Sequence, residues 1–488
     1  EIMSSDWSSD VCSSDLRYAP AYYEDTDLCL SLRDQGLRVL YQPAAQVVHF
    51  EGASHGTDET SGEKAYQVRN RERFREKWAH RLSRHLDNGV CPARERDRID
   101  GKRVLWVEAC MLTPDQDSGS LRTWRLLGIL RTLGCKVTFV ADNLESRQPY
   151  TSQLQQQGIE VQYAPHVSSV QALLQEHAAE YDVIVLCRHY IAKAYVDQVR
   201  RLASDALLVF DTIDLHYLRL RRQSVLDGSM KARKAAEIAY QEETSIAAQV
   251  DVTLVVSQIE AEHLRREVPA ARVEVLSNVH DPVSPDQVAP PEGRSGILFV
   301  GGFQHPPNID AVDYLAAEIW PRFRELHPDA PCYVIGSRMP DWLKQRGQAV
   351  GLEMLGYVPD LKPYYRSSRL SVSPLRYGAG VKGKVNESLG AGLPMVATPT
   401  SVEGMALQQG RDVLLAQEPA EFAAAMSRLY TDHALWATLS RHGLQRTREQ
   451  FASDVAASTL HGLLDRRASA VRPLDASCPE SVAHTAEA

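Results

Sequence analysis

The chain contains no stretch of about eighteen consecutive apolar residues, which excludes a membrane-spanning helix, and no signal peptide is recognised. None of its eight cysteines (Cys12, Cys29, Cys91, Cys110, Cys135, Cys187, Cys332 and Cys478) belongs to a CxxC pair. Most sit in apolar, strand-like runs and are expected to be reduced core residues of a cytoplasmic protein. Basic charge is not in excess either: 54 Lys+Arg against 63 Asp+Glu leave a net charge of -9, which argues against a general nucleic-acid or anionic-membrane binder. What remains is ordinary globular composition, 44% hydrophobic and 24% charged over 488 residues. At about 150 residues per domain this length predicts about three domains.

The densest chemistry lies in PLRYGAGVKGKVNESLGAGLPMVATPTSVEGM, from Pro374 to Met405. It sets Arg376, Lys382 and Lys384 among Gly378, Gly380 and Gly383 and places Glu387 just after them. Glycines let backbone approach an anion, cations neutralise phosphate oxygens, and a carboxylate early in the next helix can accept two hydrogen bonds from a ribose. The predicted setting is a strand over Leu370–Leu375, a helix from about Lys384 to Ala391 stopped by Gly392 and Pro394, and a strand over PMVATP. In such a parallel βαβ unit ligands collect at the carboxyl ends of the strands, where this loop falls. The plain alternative is a glycine turn before a helix with solvated lysines.

Two further α/β stretches frame the motif. From Arg103 the strands RVLWVEAC, CKVTFVA, VIVLC, LLVFD, VTLVVS and VEVLSN alternate with helical patterns. The loop before the first helix carries Asp117, Ser118, Gly119 and Ser120, whose backbone N–H groups suit a phosphate or sugar hydroxyl and equally suit a Ser N-cap with a glycine turn. FDTIDLH, Phe210 to His216, ends a buried strand with Asp211 and Asp214, placed either to bind sugar hydroxyls or to cap the next helix; His189 reads as structural. The Pro-rich segment 281–295 links this half to a second one, in which GILFVGGFQHPPNIDA, PCYVIG, LEMLG, LSVSPL, PMVATP and VLLA supply strands. No cluster with metal-ligand spacing is evident in these halves, so no metal is assigned.

The amino-terminal part differs. SSDWSSDVCSSDL, Ser4 to Leu16, repeats Ser-Ser-Asp three times without structural period and resembles the translation of sequencing-adapter DNA. Residues 1–16 are therefore expected to be a non-native or disordered leader. The run RYAPAYYEDTDLCLSLRDQGLRVLYQPAAQVVHFEGASHG resembles the closing part of a family two glycosyltransferase domain of GT-A fold. The resemblance implies that Asp25 is the general base of an inverting transfer, supported by Glu24 and Asp27, with His49 where relatives hold a metal or pyrophosphate. Acids here would equally stabilise the first turn of a helix. The metal- and nucleotide-binding half of such a domain is missing ahead of it, so residues 17–88 are expected to be an inactive remnant. Its basic helix, NRERFREKWAHRLSRHL, spaces Phe74, Trp78, Leu82 and Leu86 every fourth residue for packing, and leaves peripheral contact with an anionic membrane open.

PDQDSGSLR, FDTIDLH, LFVGGFQHPPNIDA, PLRYGAGVKGKVNES and VEGM together resemble the GT-B, family four glycosyltransferases of bacterial polysaccharide and lipopolysaccharide synthesis, over about Lys102 to Leu464. The resemblance implies an α/β, GT-B fold of two Rossmann-like domains facing a cleft: an acceptor-side domain at 102–280 and a nucleotide-sugar-binding domain at 296–467, with linkers at 89–101 and 281–295 and a disordered tail at 468–488. It implies that Glu387 binds ribose, that Arg376, Lys382 and Lys384 bind diphosphate, and that Ser118, Gly119 and Ser120 approach the donor from the other half. Asp214, Gly301, Gly302, Gly378, Gly380, Glu403 and Gly404 complete the expected site. Two departures stand out: Ala379 where many relatives have a glutamate, and GGFQHPPN, with Gly302, His305 and Asn308, where many have Arg and Lys. The implied activity is a retaining transfer from a nucleotide sugar to a glycan or lipid-linked glycan, without metal or cofactor, in the cytoplasm at or near the inner membrane face. A non-catalytic sugar-nucleotide-binding or scaffold module is the alternative, and an epimerase shares the two-half fold but lacks a recognisable carboxylate and histidine set.

Overall fold

The computed structural model describes residues 16–20, 22–37, 39, 65–87, 90, 95, 101–378 and 380–465. The expected leader before Leu16, His49, Ala379, most of the first linker and the tail from 468 lie outside the described residues. Described residues up to 95 and those from 101 onward belong to two separate compact units.

In the first unit a helix α1 (Glu24–Asp34) and a helix α2 (Ala65–Lys77) enclose a small core of Tyr18, Leu30, Phe74 and Trp78. The fourfold spacing seen in the sequence does face inward, but α2 ends one residue before Trp78 and a single turn, Ala79–Leu82, follows. Asp27 is the polar centre of this core. It is 2% exposed, accepts hydrogen bonds from Tyr18 Oη at 2.9 Å and Trp78 Nε1 at 2.6 Å, and pairs with Lys77 Nζ at 2.8 Å. A buried carboxylate is tolerated only with its lone pairs filled in this way. Asp25 is exposed and accepts the N–H of its neighbour Thr26.

The second unit is built on two all-parallel sheets. Val-, Ile- and Leu-rich strands buried on both faces belong in such sheets, with helices covering each side. The first sheet contains β1 (Arg103–Glu108), β2 (Lys136–Ala141), β3 (Glu160–Gln162), β4 (Val183–Cys187), β5 (Leu207–Asp211), β6 (Val252–Val255) and β7 (Val273–Val275), in the order β3-β2-β1-β4-β5-β6-β7. The second contains β8 (Ile297–Val300), β9 (Cys332–Ile335), β10 (Glu353–Gly356), β11 (Leu370–Ser373), β12 (Met395–Ala397) and β13 (Leu414–Leu415), in the order β10-β9-β8-β11-β12-β13. Both orders reverse direction beside their first strand, between β1 and β4 and between β8 and β11, and a crevice opens at the carboxyl ends of the strands at such a switch point. Cys135, Cys187 and Cys332 are buried in these strands and their flanks, whereas Cys110 is exposed.

The segment 281–295 is no loose tether. Arg294 is buried and donates to Tyr365 O at 2.9 Å, Ser368 O at 3.2 Å and Ala289 O at 3.0 Å, which pins the segment to the second sheet's helices. The sequence-based boundary put everything up to 467 in the second half, yet the helix Ser453–Asp465 lays Ala456, Leu460, Leu463 and Leu464 into the core around Leu126, Leu127 and Leu130 of the first half. No helix among the described residues is long and apolar enough to cross a membrane.

This returning helix makes the first core depend on the last residues of the unit. Leu460→Ala is expected to destabilise the protein by about 2–5 kcal/mol, as for other buried leucine truncations. The exposed His461→Ala should stay within about 0.5 kcal/mol. Denaturant midpoints of the two variants give the comparison, and equal midpoints would mean that the helix does not contribute to the core.

Candidate active site

The loop after β11 delivers the glycine motif to the seam between the two sheets. Gly380 has φ +67°, and a Cβ there would lie 3.1 Å from Asp214 Cβ of the first half; a Cβ on Gly383 would lie 2.7 Å from Ser118 Cβ. Any side chain at these two positions would push the halves apart, so glycine is what lets them meet. The helix that follows, Gly383–Gly390, begins one residue later than Lys382, its N-cap, close to the expected bounds.

Both lysines are turned inward. Lys382 is 8% exposed, and its Nζ donates to Gly380 O at 2.5 Å. Burial pushes its pKa down to about 8, against the pull of Glu403 and Glu260. Lys384 Nζ lies 4.6 Å over the ring of Phe299 and donates to Asn308 Oδ1, while Asn308 Nδ2 donates to Gly302 O at 2.7 Å. Burial, with the neighbouring charge of Lys382, brings Lys384 down to about 7. Lys384 therefore reaches the Gly301–Gly302 turn, where the sequence lacks the two cations of its relatives: a Cβ on Gly301 would meet Lys384 Nζ at 3.0 Å. Glu387, one turn on, accepts from Tyr365 Oη at 3.0 Å; burial raises its pKa, opposed by that bond, Arg125 and Lys384. Arg376 goes elsewhere. It is partly exposed, binds Asp310 with Nε at 2.9 Å, and stacks over Tyr314 at 5.0 Å.

From the first half, the loop before the helix Ser118–Thr132 faces this cluster. Asp117, rather than a serine, caps the helix: its Oδ1 accepts from Ser120 N at 2.8 Å and its Oδ2 from Ser120 Oγ at 2.6 Å. Ser118 stands against Gly383, and Gly119 beside Arg188. Arg188, after β4, pairs with Glu108 at the end of β1 at 2.8 Å, across the switch point.

FDTIDLH divides into two roles. Asp211 is wholly buried and paired with Arg122 Nη1 at 2.6 Å, a structural bridge beneath the cleft. Asp214 pairs with His216 Nδ1 at 3.3 Å and Arg219 Nε at 3.0 Å. Although burial raises its pKa, His216 and Arg219, joined by His305 and Arg188, hold the carboxyl well below the usual range. Neither acid caps the helix His216–Asp227; Glu243 does, accepting from His216 N at 2.9 Å and Tyr217 N at 3.1 Å.

Several contacts at the seam had no signal in the sequence. Arg222 donates to Gly378 O at 2.7 Å and to Glu403 Oε1 at 2.7 Å. Asn278 Nδ2 donates to Val381 O at 2.8 Å, and Tyr357 Oη to Asp115 Oδ2 at 2.7 Å. Glu260, buried beside Gly380, has its pKa raised to about 7 by burial and by Asp214. These residues lie in ordinary helical or loop text and become neighbours only when the sheets face each other. Gly404 also packs at the seam, against Ser257. A further grouping, His189 with His216 and Glu243, joins three helices of the first half.

Two all-parallel, Rossmann-like sheets that meet over a glycine loop are the architecture of the GT-B glycosyltransferases. Solved structures agree on the fold: sucrose-phosphate synthase from Thermosynechococcus elongatus (TM-score 0.59, 16% identity, covering 76% of this chain and 100% of that one), Anabaena HepE in complex with UDP-glucose (0.56, 15%, 75% and 99%), and Staphylococcus aureus TarM in complex with UDP, fondaparinux and α-GlcNAc-glycerol (0.58, 8%, 75% and 100%). Residues 294–432 match the family described as Glycosyl transferases group 1. A search of curated proteins gives no match.

The cluster makes two predictions. Glu387→Ala should weaken nucleotide-sugar binding by about 1.5–3 kcal/mol, the loss of a charged hydrogen-bonding partner; unchanged affinity in a folded variant would remove Glu387 from the site. Binding of an anion by Lys382 and Lys384 requires their ammonium forms, which are lost as pH rises through about 7 for Lys384 and about 8 for Lys382. Affinity for a nucleoside diphosphate should therefore fall between pH 6.5 and 8.5, with proton uptake on binding at the higher pH, by roughly up to one proton per lysine. Calorimetry in buffers of different ionisation enthalpy measures that uptake.

Proposed function

We propose that the second unit is a retaining glycosyltransferase that moves a sugar from a nucleoside diphosphate donor to a glycan or lipid-linked glycan acceptor. The observation that carries this reading is the buried Lys382 and the part-buried Lys384 at the start of the helix Gly383–Gly390, at the switch point of the second sheet, with Glu387 one turn further on. Buried ammonium groups are costly unless a ligand supplies the countercharge, and a helix N-terminus adds its own attraction for phosphate. HepE, TarM and the pneumococcal O-GlcNAc transferase GtfA are described in complexes containing UDP or UDP-glucose, which makes uridine the first base to test.

In this reading the ribose hydroxyls donate to Glu387 and the diphosphate lies on Lys382, Lys384 and the amides of the glycine loop. Ser118–Ser120 and Asp214 face the sugar from the first half. The acceptor hydroxyl attacks the anomeric carbon on the face that the diphosphate leaves, and the departing phosphate oxygen takes the acceptor proton. Fixed positive charge on the developing diphosphate lowers the barrier, so that neither a protein nucleophile nor a divalent metal at the diphosphate is needed. The crevice at the seam, lined by Arg222, Ser257, Glu260, Gly380 and Glu403, is too tight for a nucleotide sugar, so in this reading donor entry requires the seam to part.

A sugar-nucleotide-binding module without turnover is the second reading. It is favoured by one observation, the engagement of Arg376 with Asp310 in place of the cluster. The amino-terminal unit fits an inactive family two remnant whose Asp27 serves packing, and the protein would work in the cytoplasm at the inner membrane face.

Replacing both Lys382 and Lys384 with Met retains stem length and removes charge. Turnover with the best donor of a UDP-sugar panel should drop at least tenfold, about 1.4 kcal/mol of transition-state stabilisation, while added magnesium or manganese leaves the wild-type rate within about twofold. A folded double variant with full turnover would contradict the mechanism. Absence of both hydrolysis and transfer in a protein that binds the donor would favour the module. Deleting residues 1–98 is expected to leave donor turnover intact.

A further inference from the structure

At the carboxyl ends of β4 and β5 the first half gathers His189, at the start of the helix His189–Leu202, His216, at the start of the helix His216–Asp227, and Glu243, in the helix Met230–Gln249. We propose that these three side chains bind one divalent cation of the zinc class. The three ligands are other residues than Lys382 and Lys384, and Asp214, which pairs with His216 Nδ1 at 3.3 Å and faces Gly380, borders both groups.

The distances suit such an ion. Zinc bonds of about 2.0–2.2 Å in a tetrahedron place neighbouring ligand atoms roughly 3.3–3.6 Å apart. Here Glu243 Oε1 lies 3.7 Å from His216 Nδ1 and 3.9 Å from His189 Nδ1, and Asp214 Oδ1 lies 3.3 Å from His216 Nδ1. One ligand atom from each of His189, His216 and Glu243 falls within 4.8 Å of the others, an excess that small rotations of the rings remove.

The electrostatics also ask for a cation. Glu243 is wholly buried, and among the described residues no lysine or arginine lies within ion-pair distance of it; the two imidazoles are its only basic neighbours. Protonated His216 shared between Asp214 and Glu243 would balance part of this charge, but it leaves His189 unexplained. The Nδ1 of His189 is buried without any hydrogen-bond partner, a costly state for a ring nitrogen that a metal bond would relieve.

The surrounding groups hold the set in place. Both Glu243 oxygens accept backbone N–H groups, from His216 and Tyr217, which fixes the carboxylate. Glu242 approaches the other ring nitrogen of His189 at 3.6 Å and is itself held by Lys193 at 2.7 Å. A carboxylate behind a ligating histidine is the usual outer support of a metal site. Two imidazoles select zinc, cobalt or nickel over magnesium or calcium, which prefer oxygen. The bound ion would tie three helices together beside Asp214, which pairs with His216 and faces Gly380 across the seam.

The test uses the full chain, stripped with chelator, dialysed and titrated with zinc chloride alone. One saturable equivalent is expected, together with a higher thermal midpoint and, on cobalt substitution, the visible absorption of a tetrahedral ion. Magnesium in large excess should not compete. His189→Gln, close in size, should lower zinc affinity at least tenfold while leaving the circular dichroism unchanged. No saturable zinc binding by the wild-type chain, an octahedral cobalt spectrum, displacement by magnesium, or undiminished affinity in folded His189→Gln would each overturn the proposal. Should His189→Gln fail to fold, the wild-type titration and cobalt spectrum still decide.

Discussion

Two lysines within one helical turn, Lys382 buried and Lys384 part-buried, are the constraint around which the second unit is arranged. Lys382 and Lys384 repel each other, and burial lowers both toward neutrality. Among their contacts are Gly380 O for Lys382 and Asn308 Oδ1 for Lys384, with Glu387, Glu403 and Glu260 further off. Glycines at 380 and 383 let the loop fold close, where a Cβ would crowd Asp214 and Ser118. In the proposed reading a diphosphate adds its charges and oxygens to this cluster, which favours its binding there.

The first half contributes both charge, from Glu260, Asp214 and Arg222, and shape. Ser118 and Asp214 meet the glycine loop where no side chain could fit, and Arg222, Asn278 and Asp115 hold the second half by its loops. These are a few polar contacts, buried at Asn278 and more open at Arg222 and Asp115, of the strength that interdomain seams break during ligand exchange. The helix Ser453–Asp465 sets the opposite limit: its leucines are core to the first half although its chain neighbours belong to the second, so the two halves cannot separate far without unfolding it.

Much of the fold was legible because parallel strands announce themselves as short apolar runs between turn residues. VIVLC, LLVFD and LSVSPL fell where β4, β5 and β11 lie. The glycine loop was legible for the same kind of reason, since glycine at those spacings has few other uses. Orientation was not. Nothing in the text shows that Arg376 turns to Asp310, that Asp211 is consumed by Arg122, or that Lys384 reaches across to the Gly301–Gly302 turn. Long side chains choose partners by what the neighbouring strand presents, and that choice is made by packing.

The sequence by itself determined which residues could carry chemistry: the glycines, the two lysines and Glu387 within fifteen positions of one another, on a strand–loop–helix whose local propensities need no outside help. Local spacing is enough there because a loop and the first turn of its helix are one rigid neighbourhood. Tertiary structure alone decided everything joining distant segments: the Arg222–Glu403 bridge, the return of the last helix, and the meeting of His189, His216 and Glu243 from three helices. Such pairs are separated by tens to hundreds of residues, and their contact is set by sheet order and helix packing, which bind many residues at once and leave no trace in any single one.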